Sequence, residues 1–340
     1  MISCRCSNTL TGNELRQKLR QWLSPPDPSV NYNAACSLHH EGTAKWFTQG
    51  PVFREWKESG SLLWIHGNRT LSLALCLHSS LTDSRPVAGS GKSVLRYPST
   101  PTRTRFDRCN LYYRISNSSA IISNVKRIAN IHVAYFFFVF SDKGKQECRG
   151  LLSSILHQLC DQSLPCLDIL SRLYSTHHHG SEQPNDNALR QCLRDMLTIA
   201  GQAIYLVVDA LDESPDTHGA PSSRRKVLDL VKELVRLKCR NLRLCVTSRD
   251  EMDIRTVLQP LGGTSLSLHD QKGQHEDIVD YVTFVISSDP ELDMRGWQEE
   301  DKELVITTLS KRACGMWECR CLTCILSDTV KQVSLGSLSS

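Results

Sequence analysis

Three short stretches of the chain carry residue types that can grip and split a nucleoside triphosphate. Gly89-Ser90-Gly91-Lys92-Ser93 is the second half of a phosphate-binding loop. Its glycines let backbone N–H groups wrap the phosphates, Lys92 reaches the β- and γ-phosphates, and the Ser93 hydroxyl binds magnesium. A helix starting there points its positive end at the same phosphates. Ile204-Tyr-Leu-Val-Val-Asp209 is an apolar run ending in an acid. At the C-terminal end of a parallel strand, Asp209 sits beside the phosphate loop and can hold magnesium. Asp212 or Glu213, just beyond, can orient or deprotonate an attacking water. Leu242–Arg249 is a further apolar run, delivering Thr247, Ser248 and Arg249 to the same edge, where Arg249 can read the γ-phosphate. Taken singly, each has an ordinary explanation: a buried strand capped by Asp, or a solvated loop Arg.

The loop is incomplete as written. The full pattern needs a Gly five residues before Gly91, and that position is Pro86. Gly67, however, directly follows the apolar run Ser61-Leu-Leu-Trp-Ile-His66. With Arg69–Val87 set aside, the chain reads Gly67-Asn68-Ala88-Gly89-Ser90-Gly91-Lys92-Ser93, a complete G-x-x-x-x-G-K-S. The helix that should follow Ser93 meets Pro98 and Pro101, which helices do not tolerate. With Arg96–Asn117 set aside, Leu95 runs into Ser118, and Leu95, Ile121, Val125 and Ile128 fall on one helical face. Both segments, rich in Ser, Thr, Arg and Pro, read as inserted sequence of the kind a retained intron leaves. Two natural surface insertions are the alternative.

The elements that must position these residues follow from periodicity. Leu15–Leu23 predicts an amphipathic helix, ended by Ser24-Pro25-Pro26-Asp27-Pro28, and His40–Trp56 reads as a connector. Strands are expected at Ser61–His66, His132–Phe140, Ala203–Val208 and Leu242–Val246. Helices are expected at Leu151–Cys160, Cys166–Tyr174, Asn187–Ile199, Val227–Leu237, Glu276–Ile286 and Asp301–Lys311. Strands alternating with helices predict a parallel sheet covered on both faces.

The balance of 40 basic against 36 acidic residues, net +4, without a polybasic run, argues against nucleic acid or an anionic membrane as the main partner. The longest apolar runs, Leu71–Leu77 and Val133–Phe140, are strand-length, and the N-terminus lacks a secretory core. The reading is a soluble, cytoplasmic protein whose 15 cysteines are reduced thiols. The crowded Cys314, Cys319, Cys321 and Cys324 do not have the spacing of a familiar zinc knuckle, and His177-His178-His179 reads as solvated loop.

The ordered motifs resemble the NACHT group of STAND signalling ATPases, and most of all the fungal type with a nephrocystin-like N-terminal module. The resemblance rests on Trp22-Leu-Ser-Pro-Pro-Asp-Pro28, His40-Glu-Gly-Thr43, Leu63-Trp-Ile-His-Gly67, Val208-Asp-Ala-Leu-Asp-Glu213, Val246-Thr-Ser-Arg249 and Asp301-Lys-Glu-Leu-Val305. It runs from about Lys18 to Met316, apart from the two odd segments. It implies ATP or GTP with Mg2+ as cofactors, bound through Gly67, Gly89, Gly91, Lys92 and Ser93, with Gly42 and Thr43 near the base. It further implies metal contacts from Ser93 and Asp209, water handled by Asp212 or Glu213, and γ-phosphate sensing by Arg249. A slow NTPase switching between closed and oligomerising states is implied, with self-association and an unidentified protein effector as partners. The segment after Met316 departs from that pattern.

The expected fold class is α/β, a three-layer P-loop NTPase fold with a mostly parallel central sheet, a helical N-terminal extension and a helical C-terminal part. The expected domains are an N-terminal helix and linker at 1–45, an NTPase core at 46–260 interrupted at 69–87 and 96–117, a helical continuation at 261–316 and an aberrant tail at 317–340. The rival readings are a nucleotide-free remnant or scaffold, and a metabolic P-loop kinase, against which the absence of a lid-like Arg-rich segment counts.

Overall fold

The computed structural model describes residues 12–38, 44–59, 62–67, 118–216, 221–268 and scattered residues between 271 and 307. Gly42, Thr43, Gly89, Gly91, Lys92 and Ser93 lie outside the described residues, as do both odd segments and the region 317–340.

Among the described residues five strands form one sheet: β1 (Leu62–Gly67), β2 (Ile131–Phe137), β3 (Ala203–Asp209), β4 (Leu242–Arg249) and β5 (Thr264–Ser267), in the order β2-β3-β4-β1-β5. Every pairing is parallel. Side chains alternate across a strand, and here both faces are apolar. On one face Leu62, Trp64, Ala134, Phe136, Ile204, Leu206, Val208, Leu244 and Val246 share a core with the helices Gly12–Leu23, Cys148–Gln162, Asp186–Ile199 and Ser223–Arg236. On the other, Leu63, Ile65, Tyr135, Phe137, Tyr205, Val207 and Cys245 are equally buried. There Trp56, from the helix Pro51–Ser59, meets the Tyr205 ring edge-on at 5.5 Å and donates to the Leu244 carbonyl. Tyr32, from the helix Ser29–Leu38, packs at 5.2 Å from Tyr135. This is the three-layer α/β architecture expected, and continuous apolar strands are its sequence signature.

Residues 118–125, which follow the second odd segment, are helical and bury Ile121, Ile122 and Val125 completely. Ile121 and Val125 are two of the residues predicted to form the apolar face of that helix. Capping residues start two of the long helices: the Asn185 side chain accepts from the Ala188 N–H, and Ser222 from the Arg225 N–H.

The structure differs from expectation in several places. A helix at Ser29–Leu38 was not expected after the proline run; Asp27 Oδ1 accepts the Ser29 N–H at 2.8 Å and caps its start. The connector His40–Trp56 contains most of the helix Pro51–Ser59, which buries Phe53 and Trp56. Strand β2 ends at Phe137, and Phe140 is 71% exposed, because the chain turns there into the polar loop 139–147. Strand β5, Thr-Ser-Leu-Ser, is too short and polar to show a period. Described residues within Glu276–Ile286 and Asp301–Lys311 are helical.

Candidate functional site

Because every strand runs the same way, their C-terminal ends share one sheet edge. Register places Gly67 opposite Arg249, and Phe137 opposite Asp209. The sequence-predicted Asp209, Asp212, Glu213, Arg249 and Gly67 are therefore brought to one edge. Ser118, which sequence reasoning gave no role, joins them.

Asp209 is 2% exposed. Its Oδ1 accepts hydroxyl hydrogen bonds from Ser118 and, at 2.5 Å, from Thr247. The same Thr247 oxygen accepts the Ala210 N–H at 3.0 Å. Ala210 has a φ of 57°, a left-handed conformation that a non-glycine residue adopts only when its surroundings impose it. That kink swings Leu211–Glu213 into a single 3-10 turn beyond the strand.

The turn delivers two acids with different surroundings. Asp212 is buried: its Oδ1 accepts the Arg249 N–H at 2.9 Å and its Oδ2 lies 3.2 Å from Arg249 Nε. Glu213 is half-buried, and its Oε2 accepts the Phe140 N–H at 3.1 Å. The two candidates for handling water thus differ, since Asp212 already ties the turn to β4, whereas Glu213 reaches toward the loop after β2.

Arg224 is a further residue that the sequence did not single out. It is only 9% exposed, and its guanidinium spans two segments of the site. It donates to the carbonyls of Asp212 and Ser214, on either side of Glu213, and pairs with Glu251 and Asp253 at the start of the helix Met252–Leu258. In the sequence it is one Arg of an amphipathic helix, and nothing distinguishes it from a solvated one. Next to β1, His66 stacks on Trp64 at 4.2 Å between ring centroids, and Trp64 Nε1 donates to Ser248 Oγ. Asp250 accepts from Arg255 and lies 3.8 Å from His66, while its N–H donates to the Gly67 carbonyl.

Seven cysteines among the described residues are free thiols. Burial pushes Cys148 up to about 11 and Cys192 to about 12, so neither forms a ready thiolate. Among the described residues no helix is long and apolar enough to cross a membrane.

Residues 116–249 match the family model of the nephrocystin 3 N-terminal domain. No curated protein matches the chain significantly. Among solved structures, a Drosophila ORC bound to DNA is similar at 12% identity and a TM-score of 0.34, over 99% of this chain and 66% of that one. A second Drosophila ORC structure, on GC-rich DNA, is similar at 9% identity and a TM-score of 0.26, over 91% and 45%. The chain thus spans about two thirds of the first and under half of the second.

Proposed function

We propose that this chain is a nucleotide-binding regulatory module of NACHT/STAND type, of the fungal kind, working as a cytoplasmic switch with at most slow NTP hydrolysis. The observation that carries the reading is Asp209, a buried carboxylate flanked by two hydroxyls at the C-terminal edge of a parallel sheet, with Gly67 and Arg249 at the same edge. Ligands of open α/β sheets bind outside the carboxyl ends of the strands. The match of 116–249 to the nephrocystin 3 N-terminal family supports the same reading, and it begins at the end of the second odd segment.

The residues present fit a magnesium nucleotide. Magnesium is a hard cation that takes one or two carboxylates together with phosphate oxygens and water, and the Asp209–Ser118–Thr247 group is an all-oxygen set. Among the described residues there is no cluster of three or more His, Cys, Asp or Glu side chains able to hold a metal, and a nucleotide-borne ion needs none. In this reading Gly67, Gly89, Gly91, Lys92 and Ser93 hold phosphates, Gly42 and Thr43 lie near the base, and Ser93 and Asp209 hold the ion. The bound metal would neutralise charge developing on the phosphates. Glu213, less engaged in holding the turn than Asp212, is the better candidate for orienting water. Arg249 links the phosphate end to Asp212. Self-association and a protein effector belong to the same proposal.

A second reading, a nucleotide-free scaffold, is favoured for the chain as it stands by Pro86, which has no N–H to offer a phosphate. Calorimetric titration with MgATP and MgGTP tests both. The full chain should bind more weakly than about 1 mM. A variant lacking Arg69–Val87 and Arg96–Asn117 should bind at about 1 μM, a gain of at least ~4 kcal/mol. Equal affinities would overturn the insertion argument, and no binding by either protein would leave the scaffold.

A further inference from the structure

Strand β2 ends the sheet order, so among the described residues one side of it has no neighbouring strand. An open edge presents a row of backbone donors and acceptors to any other extended chain. Here two side chains close it. Gln162 accepts the Val133 N–H at 2.9 Å through Oε1 and donates through Nε2 to the Val133 carbonyl at 2.8 Å. Gln158 does the same for Tyr135, accepting its N–H at 3.1 Å and donating to its carbonyl at 2.8 Å. Each carboxamide thus reproduces the donor–acceptor pair that a peptide group of a sixth strand would offer.

The fit is geometric. Residues four apart on a helix rise about 6 Å along its axis, and alternate residues of a strand repeat every ~6.6 Å. The helix order 158, 162 meets the strand order 135, 133, so the helix Cys148–Gln162 runs antiparallel to β2 and keeps both amides in step with its edge. The glutamines are anchored in turn, since Gln158 Nε2 also donates to the Ser154 carbonyl and Gln162 Nε2 to the Gln158 carbonyl. A cavity of about 310 Å3 runs beside this edge, bounded by Lys126, Ile131, Val133, Tyr135 and the two glutamines. Lys126 Nζ lies 4.1 Å from the Tyr32 ring centroid and 4.7 Å from that of Tyr135.

We propose that Gln158 and Gln162 act as a surrogate sixth strand that keeps the β2 edge from pairing with the same edge of a second copy of this chain. The segment Ile131-His-Val-Ala-Tyr-Phe-Phe137 has no formal charge and no proline and is rich in aromatic and β-branched residues, the composition most prone to edge pairing. Two identical edges meeting antiparallel about a two-fold axis form a closed pair, which makes a second copy the natural occupant. Lys126 adds a second barrier, because pairing would bring two of these cations together.

The test is made on the full chain and does not depend on nucleotide. Gln158→Ala/Gln162→Ala should self-associate at least tenfold more tightly than wild type in analytical ultracentrifugation, forming dimers. Gln158→Glu/Gln162→Glu should stay monomeric, because each Glu still accepts the N–H and adds a negative charge at the edge. In wild type, the Val133 and Tyr135 amides should exchange hydrogen within about tenfold of those of Ala134 and Phe136, which alternation turns toward β3. A folded double-alanine variant that stays monomeric overturns the proposal, as does one that ignores its own copy but takes up an unrelated strand peptide. If that variant does not fold, the exchange measurement decides: Val133 and Tyr135 amides more than tenfold faster than their neighbours mean that the glutamines do not close the edge, and the proposal fails.

Discussion

The Arg249 N–H donates to Asp212 Oδ1 at 2.9 Å while Arg249 Nε lies 3.2 Å from Oδ2, so one carboxylate fastens the turn after β3 to the end of β4. Asp212 has a side chain 3% exposed and Arg249 one 28% exposed. Removing the cation therefore strands a buried charge. Arg249→Ala should cost about 1–3 kcal/mol in urea unfolding, below the full figure for a buried pair because Arg249 is partly solvated. Arg249→Lys should recover only part, because Lys lacks the planar fork. Unchanged stability in Arg249→Ala would show that the pair contributes nothing.

Asp209, ahead of the turn, and Glu213, within it, should separate binding from hydrolysis in the variant lacking both odd segments. Asp209→Asn should weaken binding that depends on magnesium, because the ion loses a charged ligand. Glu213→Gln should leave binding within a few-fold and slow turnover by about 10²-fold or more. Titration and single-turnover assays check this. Loss of binding in Glu213→Gln, or unchanged binding in Asp209→Asn, would reverse the assigned roles.

Asp250 gives a pH signature. The Arg255 guanidinium holds its carboxyl below its ordinary 3.8, against the opposing effect of burial, and His66 adds to the lowering. A depressed folded value stabilises the fold above the unfolded value, and that stabilisation is lost as pH falls through the folded value. The stability difference between wild type and Arg255→Ala should thus be full at neutral pH and vanish once pH falls below the lowered folded value. A difference that persists there would mean that Arg255 acts through packing alone.

Gly150 allows a close approach that any side chain would block. A Cβ at this helical position would collide with the backbone carbonyl of Gly144, in the loop whose Phe140 N–H bonds Glu213. Gly150→Ala should destabilise by about 1–3 kcal/mol and, in the variant lacking both odd segments, slow turnover more than it weakens binding. Thermal unfolding and turnover assays measure the two effects. Wild-type stability in Gly150→Ala would show that the loop yields without cost.

The sequence by itself determined the sheet and its acids. Runs such as Ile204–Asp209 and Leu242–Arg249 are apolar throughout, and only a strand covered on both faces is stabilised by such a run. Their terminal acids and Arg then had to share an edge once the strands were parallel. The capped helix Ser29–Leu38 and the short β5 were not legible, because a weak period over a few residues does not distinguish them from loop. Only the tertiary structure decided which side chains meet. Ser118 and Thr247 are far from Asp209 in the chain, yet both donate to the same Oδ1. Arg224 looks like any helical Arg until the fold buries it against two carbonyls and two acids. The pairing of Gln158 with Tyr135 and of Gln162 with Val133 depends on a helix lying antiparallel along an edge strand. Local patterns report how each segment is buried, whereas a hydrogen bond between distant residues depends on how the segments pack.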